Sequence, residues 1–246
     1  MNKGIVAVII FLVFSIFLFS SSDFFIIRNI EISSEKIGCA NDGELKDAAG
    51  LFGKNFFILD IKNIEISLKK KFICIKDITL SRLLPNRIRL EVQGRDPAAS
   101  LVSIKDFEAS ASSLIENTAT PSATQRGDTF VVDDEGVVFL KSSFINDIPK
   151  IFVFGTLQDD YLKKSLKILR QLKSFGIDNK EISLINNLFI VSSIPKIVFR
   201  LDQDVDLQIA SLQLILQRAK IDSKELEFID LRFDKPVLKF APKKNG

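Results

Sequence analysis

The arrangement of hydrophobic and polar positions divides this chain before any residue is considered for its chemistry. From Gly4 to Ser22 no residue is charged, and residues 4–19 are almost wholly Ile, Val, Leu, Phe and Ala. At ~1.5 Å per residue, a helix over this stretch reaches ~28 Å, about one hydrocarbon core. A cleaved signal peptide is the competing reading, with Lys3 before the apolar run and Ser20-Ser21-Ser22 as the small-residue site. The run is longer than the ~7–15 apolar residues usual in such peptides, so residues 4–22 are read as an uncleaved transmembrane anchor. Lys3 precedes the span and Asp23 follows it, which places residues 1–3 in the cytoplasm and Asp23 onward outside.

Shorter periods follow. Residues 24–32 are a strand candidate. Residues 42–49 open with an N-cap aspartate and stop at Gly50, which predicts a helix. A second helix is predicted over residues 61–71, with Ile61, Ile64 and Leu68 on one face and Lys69, Lys70 and Lys71 in the last turn, against the macrodipole. Strands are predicted at 75–80 and 87–92, with a turn at Pro85-Asn86. In the second, Ile88, Leu90 and Val92 alternate with Arg87, Arg89 and Glu91, so one face is wet. Residues 24–95 therefore read as strand, helix, helix, strand, strand.

Asp96-Pro97 marks a boundary, because the residue before proline is pushed to extended geometry. A strand is predicted at 100–104. Residues 108–127 lose the pattern: eleven of the twenty are Ala, Ser or Thr, which predicts a flexible surface loop. A hairpin follows, 129–132 and 137–140 around Asp133-Asp134-Glu135-Gly136, whose acids read as a solvated turn rather than a metal or acid/base site. Leu162, Leu166, Leu169 and Leu172 stripe one helix, ended by Phe175-Gly176. Val205, Ile209, Leu212, Ile215, Leu216 and Ala219 stripe another. Between them, 188–191 and 196–201 predict two strands. Residues 96–241 read as an antiparallel sheet with two packed helices.

The closing segment is the most informative. Ile229, Leu231 and Phe233 alternate with Phe228, Asp230, Arg232 and Asp234, which describes a strand with one buried face. Asp234-Lys235-Pro236 is a turn. Residues 237–240 pair back, with Leu238 and Phe240 on one face and Val237 and Lys239 on the other. Residues 242–246 are read as a disordered tail. A last strand tends to a sheet edge, and this edge is short, flanked by lysine and punctuated by proline, the usual devices of a protected edge.

Composition narrows the function. Lys and Arg number 34 against 31 Asp and Glu, so no global field argues for nucleic acid. The absence of histidine removes Ser-His-Asp and Cys-His catalysis. There is no GxxxxGK[ST] and no GxGxxG phosphate loop. Asp202, Asp204 and Asp206 suit a helix start, and nothing points to a glycosidase-like carboxylate pair. Cys39 and Cys74 make neither a zinc site nor a CxxC pair. They are read as two small buried hydrophobes, with a disulfide open to them if the domain is extracytoplasmic. No catalytic residue, metal or cofactor is assigned, and the chain reads as a binding or scaffolding protein.

The order of elements after a single span resembles a POTRA domain in the FtsQ/DivIB cell-division family. Gly50-Leu51-Phe52-Gly53-Lys54-Asn55-Phe56-Phe57-Ile58-Leu59-Asp60 is similar to the family's connection between the two POTRA helices. Leu84-Pro85-Asn86-Arg87-Ile88-Arg89-Leu90-Glu91-Val92 and Arg95-Asp96-Pro97-Ala98 resemble its exit into the next domain, with Gly94 where a glutamate is common. The hairpin around Gly136 and Ile148-Pro149-Lys150-Ile151-Phe152-Val153-Phe154-Gly155 continue the likeness, and residues 229–236 resemble the terminal Asp-Leu-Arg-aromatic stretch. A basic residue common after the strand at Phe199-Arg200-Leu201 is replaced by Asp202-Gln203-Asp204.

The resemblance implies an α+β chain: a transmembrane helix, a βααββ POTRA domain at 24–95 and an FtsQ-type β domain at 96–241. It implies a non-catalytic division protein at the septum of the bacterial plasma membrane, whose last strand docks a strand from small coiled-coil partners of the FtsB and FtsL type. Carried over by position, the partner surface is Arg232, Phe233, Val237, Leu238, Lys239 and Phe240. Two further readings stand beside it: a single-span component of a secretion or pilus platform, and a cleaved, secreted hydrolase.

Overall fold

The computed structural model describes residues 4–6, 9–13, 23–35, 39–104, 126–141, 147–177 and 179–242. Residues 4–6 and 9–13 are helical. Among the described residues no helix is long and apolar enough to cross a membrane. The anchor read at 4–22 lies largely outside the described residues. The chain divides into two units, Met1–Arg95 and Asp96–Gly246.

In the first unit, β1 (Asn29–Glu35) is followed by α1 (Asp42–Ala49), α2 (Ile61–Lys71), β2 (Ile75–Leu83) and β3 (Arg87–Gly94). The sheet order is β1-β3-β2, with β1 parallel and β2 antiparallel to the central β3. Every second residue of β3 is buried, Ile88, Leu90 and Val92 facing the helices while Arg87, Arg89 and Glu91 face water. The first strand begins later than its pattern predicts. Asp23–Phe25 forms a 3-10 turn, and residues 25–27 pair instead with the α1–α2 loop. Helix α1 is capped one residue earlier than predicted: Asn41 Oδ1 accepts from Glu44 N at 2.9 Å, and Glu44 Oε2 accepts from Asn41 N at 3.0 Å. This reciprocal box satisfies two amides that a helix start leaves without intrahelical partners. At the other end Gly50 takes φ 55°, where glycine costs least.

Cys39 and Cys74 form a disulfide, which corrects their reading as two free, buried small hydrophobes. Cys74 is buried and Cys39 is exposed, so the pair does not act as core filler. The bond ties the entry to α1 to the start of β2 across 35 residues of chain.

The second unit holds β4 (Ala99–Ile104), β5 (Arg126–Val132), β6 (Val138–Lys141), β7 (Lys150–Phe154), α3 (Asp159–Ser174), β8 (Glu181–Ile185), β9 (Leu188–Val191), β10 (Lys196–Arg200), α4 (Val205–Ile221), β11 (Leu226–Asp230) and β12 (Val237–Phe240). Their sheet order is β12-β11-β10-β9-β8-β7-β4-β5-β6. The sheet is mixed, not antiparallel as read from sequence: β4 with β7, β7 with β8, and β10 with β11 run parallel. For two of these pairs the reason is a helix: α3, between β7 and β8, and α4, between β10 and β11, are each ~24–26 Å long and carry the chain back to the end where the preceding strand began, so the next strand must run the same way.

Strand β8 carries no separate signal in the sequence reading, and β5 begins at Arg126, inside the stretch read as the end of a loop. The rest of the loop read at 108–127, and the tail from Lys243 onward, lie outside the described residues. In the β5–β6 turn, Asp133 is buried, not solvated: its Oδ1 accepts from Glu135 N at 3.0 Å and Val137 N at 2.8 Å.

The leucine stripe of α3 and the Val205, Ile209, Leu212 and Ala219 stripe of α4 close over one face of the sheet, meeting Ile151, Ile182, Phe189, Ile197, Phe199 and Ile229. The other face carries a second apolar group that includes Val102, Phe152, Phe154, Ile190 and Val198. That is why β8 and β9 are buried along most of their length rather than alternating with water.

Closing a loop of this length in the unfolded chain gives the Cys39–Cys74 bond a stabilising contribution of about 3–4 kcal/mol. Reduction, or replacement of both cysteines by serine, is expected to lower the unfolding free energy of residues 23–95 by that amount. The transition of residues 96–242 should stay put when both are followed by residue-resolved hydrogen exchange.

Candidate functional site

The C-terminal strand occupies the sheet edge because of what comes before it. Helix α4 starts at Asp204, whose carboxylate accepts from Asp206 N at 2.9 Å and Leu207 N at 3.2 Å. One turn in, the buried Gln208 reaches the end of β10: its Oε1 accepts from Arg200 N at 2.9 Å and its Nε2 donates to Arg200 O at 2.8 Å. A buried side-chain amide thus completes the ladder where strand pairing with β11 has ended. The chain leaves α4, lays β11 beside β10, turns through residues 231–236 and pairs β12 antiparallel to β11. Ile229 faces Leu238 and Asp230 faces Val237, with a bulge at Glu227. Ala241 N donates to Glu225 O at 2.9 Å. By the alternation of an antiparallel ladder, the backbone groups of Leu238 and Phe240 then point outward, away from β11.

All four residues of β12 are exposed. Leu238 and Phe240 border a groove of about 280 Å³ against the second half of α4, with Leu214, Ile215, Ala219 and Leu226 in its wall. Lys224 Nζ stands 5.4 Å from the Phe240 ring centroid. On the opposite side, Lys239 donates to Glu227 at 2.8 Å in an exposed pair of small energetic weight. Phe233 is not on the strand. It sits in the connection, 55% exposed, beside a depression of about 260 Å³ formed with Asp204, Leu207, Gln208 and Ser211 at the start of α4. The two aromatics therefore mark opposite ends of α4.

Arg232 is placed differently from the other candidates. Its Nε and Nη2 grip the Asp230 carboxylate, the shortest contact being 2.6 Å, and its guanidinium lies 5.4 Å from the Phe233 ring centroid. The Asp230 side chain is 6% exposed and that of Arg232 27%. The hydrogen bonds to Asp230 hold the guanidinium above its ordinary pKa. Arg232 thus shapes the turn that delivers Phe233 and β12, and much of its donor capacity is already used. At the neighbouring corner, Arg200 grips Asp202 at 2.8 and 2.9 Å; these bonds raise the arginine and lower the aspartate. The acids after Phe199-Arg200-Leu201 therefore have internal work, one as an ion partner and one as a helix cap. Sequence reading missed Gln208 and the α4 wall of the groove. Leu214 is 66% exposed and off the main stripe, a signal that was there to be seen. Among the described residues, no cluster of acidic or cysteine side chains is arranged to hold a metal ion.

The first unit has the matching piece of evidence. Its β1-α1-α2-β2-β3 order and β1-β3-β2 sheet coincide with a family match: residues 26–95 match the model of the POTRA domain, FtsQ-type. These residues form an FtsQ-type POTRA domain. The match supports the assignment of the chain to the FtsQ/DivIB family, and an FtsQ-type POTRA domain suggests a role in cell division. No curated protein matches the chain.

Arg232→Ala strands a mostly buried carboxylate. The cost for a fully buried pair is ~3–5 kcal/mol; with the guanidinium partly in water, a loss of about 2 kcal/mol is expected. Denaturant unfolding of the variant should show that loss, and an unshifted midpoint would contradict the shaping role given to Arg232.

Proposed function

We propose that the chain is a bitopic, non-catalytic scaffold of the bacterial division septum. On this reading residues 4–22 anchor it in the plasma membrane, residues 1–3 lie in the cytoplasm, and the POTRA domain and β domain lie outside. It assembles septal proteins by adding a strand from a small coiled-coil division protein of the FtsB or FtsL type to β12. The observation that carries the docking mode is the edge that β12 forms in the sheet of nine strands among the described residues, an exposed four-residue strand beside an apolar groove. Strand addition supplies backbone pairing, and the groove and the Phe233 depression supply side-chain selection. Phe233, Val237, Leu238, Lys239 and Phe240 are the proposed contacts. Arg232 contributes by holding the turn.

Two further observations support the setting. The FtsQ-type POTRA match brings the septal association of that family. The Cys39–Cys74 disulfide is at home in an oxidising compartment, which agrees with placement outside the cytoplasm.

Depletion in the native host is expected to give filaments with unfinished septa; normal division would rule the reading out, and a chain spread evenly along the envelope would favour a secretion or pilus platform. Phe240→Lys and Leu238→Lys place charge in the groove and should lower partner capture by full-length protein at least tenfold, with the thermal transition kept. Undiminished capture would show that β12 is only a guarded edge.

A further inference from the structure

We propose that the loop between α1 and α2, together with Phe24, is a bilayer-docking surface that seats the POTRA domain against the membrane in which the chain is anchored. The inference rests on the anchor reading of residues 4–22.

The loop and the strand-entry segment are one structure. Ile27 N donates to Lys54 O at 3.0 Å, Gly53 N to Ile27 O at 3.0 Å, and Phe56 N to Phe25 O at 2.9 Å. Ile26 and Asn55 form an antiparallel bridge. Phenylalanine rings continue the link: Phe24 to Phe25 at 5.2 Å, Phe25 to Phe57 at 4.9 Å and Phe57 to Phe56 at 5.5 Å between centroids. Phe25 and Phe56 are buried and act as the inner pair. The outer side chains are left in water: Phe24 is 60% exposed, Phe57 49%, Ile58 82% and, earlier on the loop, Phe52 74%. Arg82 braces the loop from the sheet, donating to Leu59 O at 2.8 Å and lying 5.9 Å from the Phe56 centroid.

Single exposed apolar residues are ordinary; three on one braced loop, with Phe24 linked to them through Phe25, are not. What it meets follows from chain length. Phe24 stands two residues after Ser22, the end of the uncharged run. Two residues span at most ~7 Å, about the depth of one headgroup layer. Phe24 is therefore held at the membrane surface, and the ring contacts bring Phe57 and its neighbour Ile58 with it. Within residues 24–28 and 51–59 the charged residues are Arg28 and Lys54, both basic, with Asp23 and Asp60 at the borders of the two segments. Apolar side chains beside basic ones are the composition of an interfacial contact.

The test uses the full-length chain, which has no tryptophan, reconstituted in phosphatidylglycerol-containing vesicles. Ile58→Trp introduces one fluorophore at a position open enough to accept it. Ile73→Trp, an exposed site just past the far end of the 11-residue α2, serves as the comparison. With lipids brominated near the headgroup end of the acyl chain, the Ile58→Trp emission should shift to the blue and lose at least half its intensity, while Ile73→Trp keeps its emission. Water-like, unquenched emission from Ile58→Trp in a chain that resists carbonate extraction overturns the docking surface and leaves the anchor standing. Equal quenching at both positions overturns it as well. Extraction of the chain by carbonate removes the anchor reading and the docking surface together.

Discussion

The burial of α4 against β10 and β11 is the constraint on which the C-terminal unit depends. Val205, Ile209, Leu212 and Ala219 supply the apolar layer, and Gln208 fixes its position by bonding both backbone groups of Arg200. An apolar stripe alone permits sliding along the sheet. A buried amide with two partners does not, because a shift leaves polar groups unpaired at about 1–3 kcal/mol each. With α4 fixed, β11 must run parallel to β10, and β12 must fall outside it. The edge strand is thus a consequence of core packing in the preceding thirty residues rather than of its own sequence.

The same logic governs the POTRA unit with different means. Helices α1 and α2 are short, and α2 buries only Leu68 fully, so packing alone gives modest cohesion. The capping box at Asn41, the left-handed Gly50, the backbone links between residues 25–27 and 53–56, and the Cys39–Cys74 bond supply the rest. A small domain with little core is where covalent staples have most effect.

The sequence made much of this legible, and its silences have physical causes. Amphipathic stripes placed α3 and α4, and strict alternation placed β3, because each has one wet face. Strands β8 and β9 have no wet face, so alternation is weak there and β8 left no signal. Strand direction was misread because local pattern carries no information about which end a crossover returns to. The boundary of β1 moved because residues 25–27 found backbone partners 28 or so positions away, a long-range fact. Residues 237–240 were readable as a last strand, yet the fate of Arg232 was not. Only the fold brings Asp230 into a buried site where a guanidinium must answer it. The groove beside Phe240 depends on α4 residues about twenty-five positions upstream, beyond the reach of any local motif.

An exposed edge must discourage its own copies while admitting a partner, and β12 carries features that serve both ends. It is four residues long, too short for stable pairing by backbone alone. Pro236 stands at its entrance, Lys235 precedes it and Lys239 lies within it, with no acid from Lys235 to Gly246. Two copies brought edge to edge would set lysine near lysine, and like charges across strands are destabilising. A partner strand of alternating apolar and acidic residues would meet the opposite situation. Its acids would face the lysines, and its apolar side chains would face the groove bordered by Leu238 and Phe240. The protective devices therefore do not argue against a docking role. By penalising the commonest wrong partner, another copy of the same strand, they leave the edge open to a strand of complementary charge.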